Sequence, residues 1–187
     1  VCNKVGGIYT VIATKSLYLK SEYNRHHIMV GPDVWMDEVS NPDFIEDPLL
    51  YRAWRLQAAS EGLRVRIGRW NVPGKPTAIL VDFKQFLTRQ NEILTEFWKK
   101  FGVDSLTGNW DYRESALFGY AAGRVIESFY RFNLEPSDKV VAQFHEWMTG
   151  SGLLYLKSVN VPIATVFTTH ATVIGRCIAG NNLPLYD

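Results

Sequence analysis

Val1-Cys2-Asn3-Lys4-Val5-Gly6-Gly7-Ile8-Tyr9-Thr10-Val11-Ile12-Ala13-Thr14-Lys15 reads as one unit of an alternating α/β chain. Val1-Cys2-Asn3 is the last stub of a strand, Lys4 to Gly7 a loop, and Ile8 onward a helix with Ile8, Val11, Ile12 and Lys15 on neighbouring turns. The sequence does not begin with Met, so the loop is expected to be entered from a segment that precedes Val1. Two adjacent glycines remove Cβ bulk and let the backbone approach a ligand, while the free N–H groups of a helix start favour an anion such as phosphate. Lys4 brings a mobile positive charge to the same place. A plain Gly-Gly turn with a solvated lysine fits the tetrapeptide equally well, so the rest of the chain has to decide.

Working outward, helical and strand patterns alternate. Arg25 to Gly31 is a short apolar strand stopped by Gly31-Pro32, and a polar stretch with Pro42 and Pro48 leads to a helix around Leu49 to Ser60. Leu63 to Gly68 alternates apolar and basic residues, as a strand with one wet face does. Thr77 to Asp82, Val140 to Phe144 and Pro162 to Phe167 read as buried strands. Phe83 to Phe101, Tyr112 to Phe132 and Trp147 to Val159 read as helices. This order predicts a Rossmann-like, three-layer α/β/α domain over residues 1–187, with a mostly parallel sheet. Ligands bind such sheets at the carboxyl ends of the strands. Three polar segments fall there: Lys4 to Gly7, His145-Glu146-Trp147, and Thr168 to Thr172.

Composition narrows the classes. The chain has 187 residues, 47% hydrophobic and 21% charged, enough for one well-buried domain. A net charge of +1 without a Lys/Arg cluster gives no case for nucleic acid. No apolar run approaches the roughly 20 residues of a membrane span, and no signal peptide is visible. Cys2 and Cys177 form no C-x-x-C, so neither a disulfide framework nor a zinc site is implied and a cytoplasmic location is the default.

Familiar catalytic motifs fail on spacing. His145-Glu146 lacks the second histidine of H-E-x-x-H, with Thr149 in its place. Gly150-Ser151-Gly152 is not G-x-S-x-G and sits in a helix. Gly6-Gly7 is not a dinucleotide fingerprint. His145 therefore stands either as a ligand-facing group or as a satisfied strand-end histidine. His170, flanked by Thr168, Thr169 and Thr172, fits a helix N-cap, a ligand site, or both. Arg176, one turn on, reaches a phosphate or carboxylate or is a surface charge. His26 and His27 belong at the opposite edge as structural residues. Asp111, Glu114, Glu127 and Glu146 show no acid–base spacing.

Five blocks, in order, resemble the glycogen synthases of the eukaryotic type. They are V-x-N-K-V-G-G-I-Y-T-V from Val1, R-I-G-R-W (66–70), D-Y-R-E-S-A-L-F-G (111–119), Q-F-H-E-W-x-x-G-x-G-L (143–153) and V-F-T-T-H-A-T-x-x-G-R (166–176). The bacterial and starch-synthase type instead has K-T-G-G and H-D-W. Pro32 to Ser60 and Lys84 to Asn109 match less closely. The resemblance implies the N-terminal, acceptor-side half of a two-domain GT-B glucosyltransferase, whose nucleotide-sugar half lies outside this chain. Such an enzyme moves glucose from UDP-glucose to the non-reducing end of an α-1,4-glucan, with retention. It implies His145 at the transferred glucose, Lys4, Gly6 and Gly7 at the donor diphosphate, and His170, Thr172 and Arg176 lining the cleft. The catalytic glutamate and the main arginine–lysine phosphate clamp would come from the other half, so this chain alone is expected to be inactive. UDP-glucose and glycogen are the expected partners, the full-length protein a homo-oligomer, and no cofactor or metal is expected. Two other readings stay open: a non-catalytic glucan-binding module of the same fold, for which 13% aromatic residues including six Trp would supply stacking surfaces, and another sugar-nucleotide-dependent transferase.

Overall fold

A computed structural model describes residues 1–4, 6–35 and 41–184, and within them all side chains except those of Arg25 and Val173. Val5 of the glycine loop and positions 36–40 of the polar stretch lie outside the described residues. The helices are α1 (Gly6–Tyr23), α2 (Arg52–Ser60), α3 (Gln90–Phe101), α4 (Trp110–Asn133), α5 (Trp147–Ser158) and α6 (Val173–Gly180). The strands are β1 (Ile28–Pro32), β2 (Phe44–Glu46), β3 (Arg64–Trp70), β4 (Thr77–Asp82), β5 (Val141–His145) and β6 (Ala164–Thr168).

The alternating pattern does produce a mixed α/β fold. Four strands form a sheet in the order β1-β4-β3-β2, and β5 pairs with β6 in a second sheet. The β1–β4 and β5–β6 pairs are parallel, whereas β3 runs antiparallel to both of its neighbours. The tight Pro73-Gly74-Lys75-Pro76 turn between β3 and β4 requires that reversal, because parallel neighbours need a crossover of a dozen or more residues.

β4 explains the three layers. All six of its residues are buried, and successive side chains point to opposite faces. Ala78 and Leu80 join Cys2, Met29, Phe44 and Trp70 on one face, where Tyr9, Ile12 and Ala13 of α1 cover them. Ile79 and Val81 join Trp54, Leu63, Ile67, Leu94, Phe97, Leu117 and Val125 on the other, under α2, α3 and α4. Ser16 fastens α1 by donating to the Pro73 carbonyl at 2.6 Å.

α4 continues past the first sheet to the second. Tyr130 packs with Ala142, Phe144, Leu156, Val161 and Ile163 in a third apolar cluster. Small residues bring α4 onto α5: a Cβ at Gly123 would lie 2.8 Å from the Gly152 carbonyl oxygen, and one at Gly119 would collide with the Ser151 hydroxyl. That hydroxyl donates to the Ala116 carbonyl at 2.6 Å. The helices therefore meet backbone to backbone.

Four expectations change. Residues 1–3 form no strand, although Asn3 Nδ2 does bond the Pro32 carbonyl at the end of β1. Phe83 to Phe101 is not one helix but a 3-10 segment, Lys84–Arg89, followed by α3. β2 went unread among its prolines. β5 and β6 are not buried on both faces: Ala142 and Phe144 are buried on the α4–α5 side, where Phe167 pairs with Phe144 but stays partly exposed, while Val141 and Val166 are exposed on the other side.

Candidate functional site

The parallel register of the second sheet sets His145 opposite Thr168, so both strands end level. Two residues beyond Thr168 the chain turns back, bringing His170 beside His145. The two rings lie edge to edge, 5.3 Å between centroids and 19° between planes. Nδ1 of His145 lies 3.0 Å from Nε2 of His170. His145 is half-buried and His170 exposed, so the pair opens to solvent.

Glu146 fastens this arrangement, and the sequence reading had given it no role. The residue is buried, with 6% of its surface exposed. Oε1 accepts from the backbone N–H of His170 and, at 2.9 Å, from that of Ala171. The His170 N–H bond leads in holding this carboxyl below the usual glutamate range, with the Ala171 N–H helping and burial opposing. The backbone N–H of Glu146 donates to the Thr168 carbonyl at 2.9 Å. Glu146 itself sits at φ 66°, ψ 165°, a conformation that costs a side-chain-bearing residue about 1–3 kcal/mol. The signal for it was its position directly after a strand-end histidine.

Burial is the main influence lowering the His145 pKa, followed by the charges of His170, Lys15 and the Val1 amino group, against the opposing pull of Glu146. Neutral imidazole is thus the favoured form. Lys15 belongs to α1, which sets that helix within electrostatic reach of His145.

The remaining sequence-derived site residues divide into two groups. Asn3 ties the segment before Lys4 to the end of β1: its Nδ2 bonds Pro32 at 3.2 Å, and its Oδ1 accepts from Trp35 Nε1 at 2.9 Å. Lys4 follows directly, exposed and without an ion pair among the described residues. Gly6 opens α1 at φ +70°, and among the described residues nothing beyond the adjoining chain lies within 4 Å of a Cβ built on Gly6 or Gly7. Thr172 caps α6, its Oγ1 accepting from the Gly175 N–H at 2.9 Å. Arg176 is exposed one turn later and unpaired among the described residues. The structure joins His145 to His170 by direct contact, and Thr172 and Arg176 follow on α6. Among the described residues, no hydrogen bond or ion pair joins Lys4, Gly6 or Gly7 to them.

The strand expected from Arg25 starts later: His26 ends a 3-10 turn (Asn24–His26), and His27 directly precedes β1. Among the described residues no group of three or more His, Cys, Asp or Glu is placed to hold a metal ion, and no helix is long and apolar enough to cross a membrane.

Acid should loosen the site. The unfolded chain protonates His145 near pH 6.5, whereas the fold resists that proton. Stability from this group is therefore full above about pH 6.5 and lost as pH falls through the lowered folded value. The Glu146 contribution is likewise present above the ordinary glutamate value and lost as pH falls further, through its own lowered value. The urea midpoint should drop between about pH 7.5 and about pH 5.5, and less so in His145→Gln. An equal drop in both proteins would remove His145 from this account.

Polar groups gathered at the carboxyl ends of parallel strands occupy the place where α/β domains bind their ligands. The family model for glycogen synthase matches residues 1–187, and the chain belongs to that family. It is 33% identical to the glycogen [starch] synthase of Dictyostelium discoideum over all of this chain and 21% of that protein. Identity is 32% to the Caenorhabditis elegans glycogen [starch] synthase and 30% to the mouse liver form, again over the whole chain. These two alignments cover 28% and 26% of the relatives. The chain thus spans between about a fifth and just over a quarter of the length of these relatives.

Proposed function

We propose that the chain is the acceptor-side, N-terminal half of a retaining glucosyltransferase. The enzyme would carry glucose from UDP-glucose to the non-reducing end of an α-1,4-glucan such as glycogen. The observation that carries this reading is the His145–His170 pair, formed by two family-like motifs at the carboxyl ends of adjacent parallel strands. Retaining transfer passes through an oxocarbenium-like state while charge builds on the departing UDP. A neutral His145 can hydrogen-bond sugar hydroxyls without adding a competing cation. Lys4 and the open backbone at Gly6 and Gly7 would face the diphosphate, where fixed N–H groups and cations stabilise the developing charge. His170, Thr172 and Arg176 would line the same cleft. Cationic side chains and helix starts can hold the phosphates without a divalent metal.

The catalytic carboxylate and the main phosphate clamp would come from the other half of the full-length protein, a homo-oligomer of the cytosol. The purified 187-residue chain, incubated with UDP-glucose and glycogen, should release no UDP above the enzyme-free control. The full-length protein should release it, and faster than ADP from ADP-glucose. Clear turnover by the chain alone would end this division of labour, and a preference for ADP-glucose would change the donor.

A further inference from the structure

We propose that Glu146 and His170 are positioning residues for His145: the Glu146 carboxylate fixes the turn that carries His170, and the His170 ring engages Nδ1 of His145, leaving Nε2 as the nitrogen presented to the sugar. The catalytic consequence rests on the sugar-contact reading of His145 given above; the ring geometry does not.

Glu146 is chemically joined to one histidine and hydrogen-bonded to the backbone of the other. Its peptide nitrogen follows His145, and its Oε1 takes the N–H groups of His170 and Ala171. Bonds from N–H to an ionised carboxylate are stronger than neutral ones. A residue with a Cβ occupies φ 66°, ψ 165° only where its surroundings hold it there. The Thr149 hydroxyl adds to that hold, donating to the carbonyls of His145 and Glu146 at 2.9 and 3.1 Å.

The ring contact then does the selecting. A neutral imidazole has one donor and one acceptor nitrogen. With Nδ1 of His145 committed to Nε2 of His170 at 3.0 Å, the direction of that bond fixes the proton on the far nitrogen. Nε2 of His145 carries it if Nδ1 accepts and is the bare acceptor if Nδ1 donates, and the pair holds one direction. The contact requires at least one neutral ring, because two imidazolium ions offer no acceptor. A loop tie that served folding alone would not need its acceptor next to one histidine and its donor on the other.

The test is nitrogen NMR of the 187-residue chain labelled with 15N-histidine, at about pH 8, where free imidazole is neutral. His145 should occupy a single tautomer in the wild type. Glu146→Gln, which keeps an acceptor oxygen, should retain it. His170→Ala and Glu146→Ala should give mixed tautomers, with the amide signals of β1 to β4 unchanged. Mixed tautomers in the wild type would overturn the proposal whether or not the variants fold, as would a single tautomer persisting in both alanine variants. In the full-length enzyme Glu146→Ala should lower kcat, and Glu146→Gln should restore most of it. Wild-type turnover by His145→Ala would instead overturn the sugar reading, and it is distinguishable because the wild-type tautomer is measured without substrate.

Discussion

Replacing His145 by alanine in the full-length enzyme should lower turnover roughly a hundred- to a thousandfold, the effect of losing one transition-state hydrogen bond worth about 2.7–4 kcal/mol. The fold should survive. His145 is half-buried and belongs to none of the three apolar clusters. Its ring partner is His170, itself exposed, so truncation leaves no buried polar atom stranded. Steady-state kinetics should show kcat falling more than KM rises, since a bond that strengthens in the transition state acts on kcat. Circular dichroism should match the wild type. Wild-type turnover, or an unfolded variant, would remove His145 from the site.

Trp54→Ala should be the most destabilising single substitution in the 187-residue chain, costing about 3–5 kcal/mol. Trp54 has no exposed surface and sits between α2 and α4. Its indole edge packs on Phe129 at 5.0 Å and 74°, and its Nε1 donates to the Ser128 hydroxyl at 3.1 Å. Truncation opens a cavity and also leaves the Ser128 hydroxyl short of its donor in the core. Domains of this kind are stable by only about 5–15 kcal/mol, so the loss is a large share. Urea unfolding monitored by circular dichroism would measure it. Trp98, 54% exposed on α3, provides the contrast: its replacement should stay within about 0.5 kcal/mol. Equal effects at the two positions would contradict the packing described here.

The sequence revealed the elements whose local pattern and tertiary environment agree. Thr77 to Asp82 is a continuous apolar run, and β4 occupies those same residues because both of its faces are covered. The helix read over Trp147 to Val159 ends one residue early. β2 was hidden because three residues between Pro42 and Pro48 carry too little pattern, and its pairing depends on β3. The apolar runs of β5 and β6 suggested burial on both faces, but apolar content does not reveal how many layers lie above a strand. At the site, His145 and His170 were legible one at a time as strand-end residues. Their contact was not, because it depends on a register between strands more than twenty residues apart. Glu146 was passed over because a left-handed backbone angle leaves no mark on a residue that has a Cβ.

The backbone contact between α4 and α5 has a consequence for how this sequence can drift. A methyl group at 119 or 152 has no room: the first meets Ser151, and the second meets the carbonyl of residue 119. A change at Gly119 drives the Ser151 hydroxyl off the Ala116 carbonyl, and Gly152 cannot change unless the helices separate. α5 begins immediately after Glu146, so separating them would carry His145 away from His170. Selection on the histidine pair therefore reaches a glycine that touches no substrate, and descendants of this chain can vary Gly152 only together with a compensating shift in the whole helix pair.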